Sequence, residues 1–482
     1  ALTLAQDLLE LPGAVLIVDW ADMGLESGEW RCFSQHEAQL NHHRGTVSTH
    51  GLGMAEALAI ARDLGYGHEV HLFGVQPFEV APHPGLTSLM AERLPRILEA
   101  LVAEIYRLMG SKLIRLARPL VRSVLAMGTE TKNSLALGRG SEVILFQSLG
   151  DLADPAARTA FEDTVGALLS PPPEAIAVDL HPDMFPSVLG RRLAAERGLP
   201  VVAVQHHHAH AAACMAEHGL QESLALTFDG MGWGADATLW GAELLHIVPG
   251  HSVRLGSFAG VPLPGGDAAV RHPVRQLVAR LVAAGVEITD AWCERLRISA
   301  PEAKLWTHQC RHGVNAPQSH AAGRLFDAFA ALLGLAPRSI THEGEPAMRL
   351  EAHARRWTGG TSQRFLPFEL REQEQRLFVD WAATFRMFPP EKTLPPDESA
   401  EWAFVFHQAV GRAMLEMVTY GTGRTGLRSV VLSGGVFMNG LLKEYLIPRL
   451  IDMDYQVFQH QRVLVGDGGL ALGQAWVAGG GK

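Results

Sequence analysis

Between residues 14 and 109, short β-rich apolar runs alternate with segments whose apolar positions recur at helical spacing. Ala14 to Val18, ending at Asp19, and Val70 to Val75 are predicted strands. Gly53 to Leu64 and Leu86 to Met109 are predicted amphipathic helices. The second repeats Leu89, Met90, Leu94, Ile97, Leu98, Leu101, Ile105 and Leu108 in a 3-4 pattern, and both should pack on a sheet. Gly110 is the expected helix stop, and Lys112, Arg115, Arg118 and Arg122 mark a charged connector. The expected organisation is a domain over 1–110, a linker over 111–122 and a larger body over 123–482.

The larger body carries a weak internal echo. Val124 to Gly128 and Val143 to Phe146 read as one hairpin around a Gly-rich turn, and Leu224 to Asp229 with Thr238 to Leu245 reads as another. Two hairpin-led α/β units resemble the two-lobed actin-like ATPase (ASKHA) fold, whose lobes close on a nucleotide. The expected class is thus α/β with a small α/β domain in front. Pro389-Pro390 and Pro395-Pro396 suggest a surface excursion in the second unit. After it, Trp402 to Met417 has helical spacing and Ser429 to Leu432 reads as a strand.

Composition sets limits. A chain of 482 residues that is 47% hydrophobic and 19% charged is an ordinary globular protein with room for several domains. A net charge of -10 argues against a general nucleic-acid or acidic-membrane partner. Cys32, Cys214, Cys293 and Cys310 form no C-x-x-C pair and are too few for a disulfide framework, so reduced thiols and a cytoplasmic setting are expected. No apolar run reaches membrane-span length, and no basic segment leads into an apolar one at the start, which is Ala1 and not Met.

Gln205-His206-His207-His208-Ala209-His210 places four histidines in six residues. On a helix, His206 and His210 would share one face and could share a metal, although such a pair alone is more often a solvated or core feature. Asp229, at the end of an apolar run and followed by Gly230, Gly232 and Gly234, is one natural partner. Asp467, ahead of a helical run and flanked by Gly466 and Gly468, is the other. Singly, each reads as a cap or turn residue. Two imidazoles and two carboxylates suit Fe(II) or Zn(II) with positions left for a substrate oxygen. Glycines suited to cradling phosphate recur at Gly128, at Gly265-Gly266 before Asp267, and at Gly434-Gly435 after Ser433. The stretch Ser433 to Asn439 leads from a β-rich run into a helical one, which suits a nucleotide phosphate or ribose, or merely a tight turn.

In order and spacing these segments strongly resemble the carbamoyltransferase domain of the hydrogenase-maturation HypF family. The resemblance runs through Ala126-Met127-Gly128 to Lys132-Asn133, Asp179-Leu180-His181-Pro182-Asp183, the histidine run, and Phe228 to Gly234 with Leu239-Trp240-Gly241. It continues through Pro262 to Asp267, Gly323-Arg324-Leu325-Phe326-Asp327, Glu343-Gly344, Ser433 to Asn439, and Asp467 to Gln474. It implies an actin-like fold binding carbamoyl-adenylate, made from carbamoyl phosphate and ATP, and passing the carbamoyl group to the C-terminal cysteine of HypE for cyanide-ligand synthesis. The family's metal ligands fall on His206, His210, Asp229 and Asp467. Lys132, Asp267 and Arg324 are implied as catalytic contacts, although Arg324 as readily serves a structural ion pair. Gly128, Gly265, Gly266, Ser433, Gly434, Gly435, Asn439 and Gly468 are implied nucleotide or substrate contacts.

Complete members also carry an acylphosphatase-like domain, zinc-finger modules and a domain that makes carbamoyl-adenylate. None has a counterpart here, so the donor is expected from another protein or from less efficient synthesis on this chain. HypE, a separate donor-making protein and a hydrogenase large subunit are the expected partners. Gly466 stands where the family usually has Asn. Residues 1–110 resemble the hydrogenase-maturation endopeptidases through Leu16 to Asp19, Val47 to Leu52, Phe73 to Pro77 and the helix from Leu86. Asp19 and His50 fall on two of that family's three metal-ligand positions, and the third would precede residue 1. A partial domain with a vestigial metal site and no peptidase activity is expected. Competing readings are a tRNA threonylcarbamoyl transferase, which shares the fold and the histidine pair, and a non-catalytic maturation scaffold.

Overall fold

The computed structural model describes residues 8, 14–35, 37, 54–78, 85–108, 110–248, 250–391 and 394–480. The chain divides into two compact units, Ala1–Lys112 and Leu113–Lys482.

In the first unit the two predicted strands pair in parallel as Val15–Trp20 and Val70–Val75, and an edge strand, Trp30–Ser34, joins Val70–Val75 antiparallel. That edge strand was not legible, because Trp-Arg-Cys-Phe-Ser is too short and mixed to show a period of two. The predicted helices are Met54–Asp63 and Ser88–Leu108. A small core of Leu8, Ala57, Leu58, Ala61, Tyr66 and Val70 lies on the first of them. The long helix departs from expectation: Ile97 is its one buried residue, whereas Leu89, Leu98 and Ile105 are exposed. Periodicity tells which face of a helix is apolar, and it does not tell what covers that face.

The second unit is α/β with two sheets and has the two-lobed actin-like architecture. One sheet runs in the order Ser111–Arg115, Glu142–Phe146, Ala136–Arg139, Val124–Ala126, Ala175–Asp179, Val201–Val204. Its edge strand Ser111–Arg115 thus occupies part of the stretch read as a linker. The expected hairpin of Val124 and Val143 is a three-strand meander instead, because Ala136–Arg139 lies between them and pairs with both. The Ala-Leu-Gly-Arg sequence of that strand is too short to stand out from a turn by pattern alone.

The other sheet has the main order Glu369–Gln373, Arg376–Asp380, His251–Phe258, Leu239–Val248, Ser223–Trp233, Ser429–Ser433, Gln456–Gln459. Its predicted hairpin forms as read. The antiparallel ladder holds from Ser223↔Ile247 to Phe228↔Ala242, slips, and resumes at Gly232↔Trp240. The irregularity spans Asp229, and such a break re-aims side chains out of the strand's regular alternation. The proline-rich stretch ends in a helix start: Pro395 caps, and Pro396 opens, the 30-residue helix Pro396–Thr425. Its buried face joins Phe326, Phe329, Phe385 and Trp381 in the largest core.

The histidine run is helical and fully buried, forming the start of His206–His218. This helix packs on the C-terminal helix Leu470–Ala478, where Gly473 permits the approach: a Cβ there would run into the carbonyl of Ala209.

Candidate metal centre

Gln205 starts the helix that carries the two histidines. Its side-chain oxygen accepts from His208 N at 2.9 Å, while its amide nitrogen donates to Trp233 O at 3.0 Å. The N-cap thereby ties the helix to the strand bearing Asp229. One turn separates His206 from His210, so both Nε2 atoms leave the same face. Asp467 enters from a third element, the short 3-10 turn Asp467–Gly469 that precedes Leu470–Ala478.

These four side chains converge. His206 Nε2 lies 3.4 Å from Asp229 Oδ2 and 3.6 Å from Asp467 Oδ1, and His210 Nε2 lies 3.5 and 3.3 Å from the same two oxygens. One donor atom from each falls within 4.8 Å of all the others. The separations are long for hydrogen bonds, and Nε2 of His210 is buried without a hydrogen-bond partner. The four nitrogen–oxygen separations are close to the edge of about 3.4 Å between donors around one tetrahedral ion at bonds near 2.1 Å, while the full set spans up to 4.8 Å and would draw in around an ion. Two nitrogen and two oxygen donors with an orphaned buried nitrogen fit a divalent transition metal. The imidazoles are 1–2% exposed and the carboxylates 12% and 19%, so the cluster opens on its carboxylate side.

Charge coupling is strong. Burial opposes protonation of His206, but the carboxylates of Asp179, Asp229 and Asp467 lift it well above the usual imidazole range. His210 is raised likewise by Asp229 and Asp467. Burial would raise both acids, yet the two imidazoles hold Asp229 well below the carboxylate range and Asp467 down to about 2. His207 and His208 behave oppositely: burial dominates, pushing His207 well down and His208 to about 4. They are neutral core histidines outside the cluster.

The remaining expected residues divide into neighbours of the cluster and builders of its loops. Lys132, in the left-handed region at φ 48°, pairs with Glu343 at 3.1 Å. Burial lowers its affinity for a proton, but Glu343 and, beyond it, Asp467 and Asp229 raise it, so the ammonium feels the cluster's field. Arg324 is buried and forms an ion pair with Asp327, Nη2 lying 3.1 Å from Oδ2, while its Nε and Nη1 have no hydrogen-bond partner. Gly435 N donates to Asp229 Oδ1 at 3.0 Å, which joins the Ser-Gly-Gly loop directly to a candidate ligand.

Several loop amides are already committed. Gly128 N donates to Gln474 Oε1 at 2.9 Å, Gly265 N to Asn315 O, Gly266 N to Leu263 O and Gly434 N to Val465 O. In this conformation those glycines shape turns and do not present free donors. Gly128 and Gly434 also adopt positive φ, and a Cβ at either would strike a neighbouring carbonyl. Asn439 caps the helix Gly440–Asp452 through Leu442 N at 2.9 Å and holds His407 Nε2 at 3.0 Å. Ser433 is buried, its Oγ 2.8 Å from His210 O and 2.8 Å from His460 Nε2. Asp267 is exposed at the start of the helix Asp267–Arg271, and Gly468 lies in the 3-10 turn with Asp467. In the first unit Asp19 is exposed on its strand, while His50 lies outside the described residues.

Sequence reasoning missed Asp179, whose Oδ2 stands 2.8 Å from His206 Nδ1, and the pair Glu217 and His460 behind Ser433. Asp179 lay in a quoted motif, but nothing in a linear sequence says which acid meets which ring nitrogen.

Comparison with known proteins agrees along nearly the whole length. Residues 120–217 match the HypF Kae1-like domain, residues 225–474 the second subdomain of the carbamoyltransferase Kae1-like domain, and residues 2–104 the hydrogenase maturation protease family. A carbamoyltransferase HypF homolog of Cupriavidus necator is 37% identical over 364 residues, covering 74% of this chain and 91% of that protein. HypF2 of the same organism is 37% identical over 386 residues, and HypF of Rhodobacter capsulatus 36% over 362. The chain covers 46% of each of these two, so it spans about half their length. A crystal structure of full-length HypF in a phosphate- and nucleotide-bound form superposes with TM-score 0.69 at 28% identity, over 76% of this chain and 57% of that one. HypF of T. kodakarensis gives TM-score 0.67 at 27% identity, over 76% and 48%.

Proposed function

The chain belongs to the HypF carbamoyltransferase family of hydrogenase maturation, and from that premise we propose that it moves a carbamoyl group from carbamoyl-adenylate to the C-terminal cysteine of HypE. The convergence of His206, His210, Asp229 and Asp467 in a buried cluster open on one side carries this reading.

Those four side chains would hold a divalent ion, iron or zinc, which when bound supplies Lewis acidity toward a carbonyl or phosphoryl oxygen. Asp229, through Gly435 N, locks the Ser433–Gly435 loop beside the cluster, where the adenylate is proposed to sit. The related HypF in a phosphate- and nucleotide-bound form supports a nucleotide and a phosphate group as ligands, and ATP, carbamoyl-adenylate and carbamoyl phosphate are the ones proposed here. Lys132, beside the cluster, draws the anionic donor to its open side. Arg324, whose Nε and Nη1 are buried without hydrogen-bond partners, is the further proposed contact for a substrate oxygen.

In the transfer the acceptor thiolate bonds to the carbamoyl carbon while the carbon–oxygen bond to phosphate breaks. AMP departs with the electron pair, and the thiol proton has passed to water beforehand. The donor is supplied by a separate carbamoyl-adenylate-forming protein or formed here from carbamoyl phosphate and ATP. Residues 2–104 resemble the maturation proteases, and no peptidase step is assigned to them; a hydrogenase large subunit is the partner that likeness suggests. No described helix is long and apolar enough to cross a membrane.

The test mixes the chain with HypE and either carbamoyl-adenylate or carbamoyl phosphate plus ATP, and reads the HypE C-terminal cysteine by mass spectrometry. A carbamoyl adduct under the first condition is expected. No adduct under either condition overturns the transfer reading and leaves a scaffold role.

A further inference from the structure

Asp179 ends the strand Ala175–Asp179 and is completely buried. Burying a carboxylate is unfavourable unless its oxygens are satisfied, and here both accept. Oδ2 faces His206 Nδ1 at 2.8 Å, and Oδ1 accepts from His181 N at 2.8 Å. The strand end is itself pinned, since Ser187 Oγ donates to Asp179 O at 3.0 Å. The carboxylate on Nδ1 holds a proton there, so Nε2, which faces Asp229 and Asp467 at 3.4 and 3.6 Å, is the nitrogen left to give up its proton to a metal ion.

We propose that Asp179 is a positioning residue that fixes the tautomer and ring orientation of His206, so that Nε2 is the metal-binding nitrogen. The proposal rests on reading the four-residue cluster as a divalent metal site. A carboxylate behind a ligating histidine orients the ring and strengthens it as a ligand. Asparagine at 179 is nearly isosteric but offers one oxygen to two donors. If that oxygen stays with His181 N, the amide NH2 faces Nδ1 and donates to it. The ring proton then moves to Nε2, the nitrogen that must be free.

The experiment titrates Co(II) into the metal-stripped full chain and follows the visible ligand-field bands, comparing wild type, Asp179→Asn and the ligand variant His210→Ala, with thermal melting alongside. The wild type is expected to bind Co(II), and Asp179→Asn to melt near the wild-type temperature while binding about 10- to 100-fold more weakly with altered bands. Wild-type affinity and an unchanged spectrum in Asp179→Asn would overturn the role of Asp179 alone. No Co(II) binding by the wild type would overturn the metal reading and this inference with it. Should Asp179→Asn not fold, proton-detected nitrogen NMR of the zinc-loaded wild type decides: protonated Nδ1 with bound Nε2 on His206 supports the proposal, and binding through Nδ1 refutes it.

Discussion

Gly473 faces the main-chain carbonyl of Ala209 with no room for a Cβ between them, and Ala209 lies between His206 and His210. In most helices alanine is better than glycine by about 1 kcal/mol, but here the added methyl must force two helices apart. Gly473→Ala is therefore expected to destabilise the fold by about 1–3 kcal/mol in urea unfolding and to weaken metal binding. An unchanged or higher unfolding midpoint would show that the helix contact has slack.

Glu217 links that helix to the loop beyond Gln456–Gln459. Burial alone would raise its carboxyl, but hydrogen bonds from His460 and from the Arg462 and Gln461 amides hold it down to about 2. The folded chain then binds fewer protons than the unfolded one as pH falls below the ordinary Glu value of 4.5, so this stability is full above pH 4.5 and lost toward pH 2. His460, pushed down by burial, adds a loss of the same sign below its ordinary value of 6.5. Glu217→Gln should cost at most about 3 kcal/mol at pH 7 and flatten the acid limb of a plot of urea midpoint against pH. A limb of wild-type steepness would assign it to other carboxylates.

Asn439 serves as a helix cap and as the donor to a buried histidine that burial pushes down to about 4. Asn439→Ala should lose about 1 kcal/mol for the cap and a further 1–3 kcal/mol for the orphaned His407 nitrogen. Asn439→Asp restores only the cap, since its carboxylate cannot donate to Nε2. Equal stability of the Asn and Ala forms would contradict both roles.

Lys132 and Glu343 are each more than half exposed, so their pairing contributes little to stability. Lys132→Met should shift unfolding by less than about 1 kcal/mol while raising KM for carbamoyl-adenylate several-fold. A variant with unchanged KM would remove Lys132 from the donor's path.

Periodicity and turn residues made the strand–helix alternation legible, including Val70–Val75 and Met54–Asp63, whereas a helix at His206 entered the reading only as a condition. They did not reveal Ala136–Arg139, whose four residues are too few to show alternation, nor that Leu89, Leu98 and Ile105 stay exposed. Asp229 and Asp467 were found as acids next to glycines, and the fold brings them within reach of both histidines. Sequence pattern marked Gly128, Gly265, Gly266 and Gly434 as suited to cradling phosphate, with a tight turn as the alternative at Gly434, and in this conformation their amides are engaged within the chain. Which donors a loop spends on itself is decided by tertiary contacts such as Gln474 to Gly128, 346 positions apart.

The most direct test of the account is the metal content and coordination of the purified chain, measured by elemental analysis and X-ray absorption, for wild type and His210→Ala. The account predicts about one iron or zinc per chain in a shell of nitrogen and oxygen without sulfur, falling to less than about a tenth in the variant. A chain that transfers carbamoyl groups without metal, or a His210→Ala variant with full metal content, would contradict it.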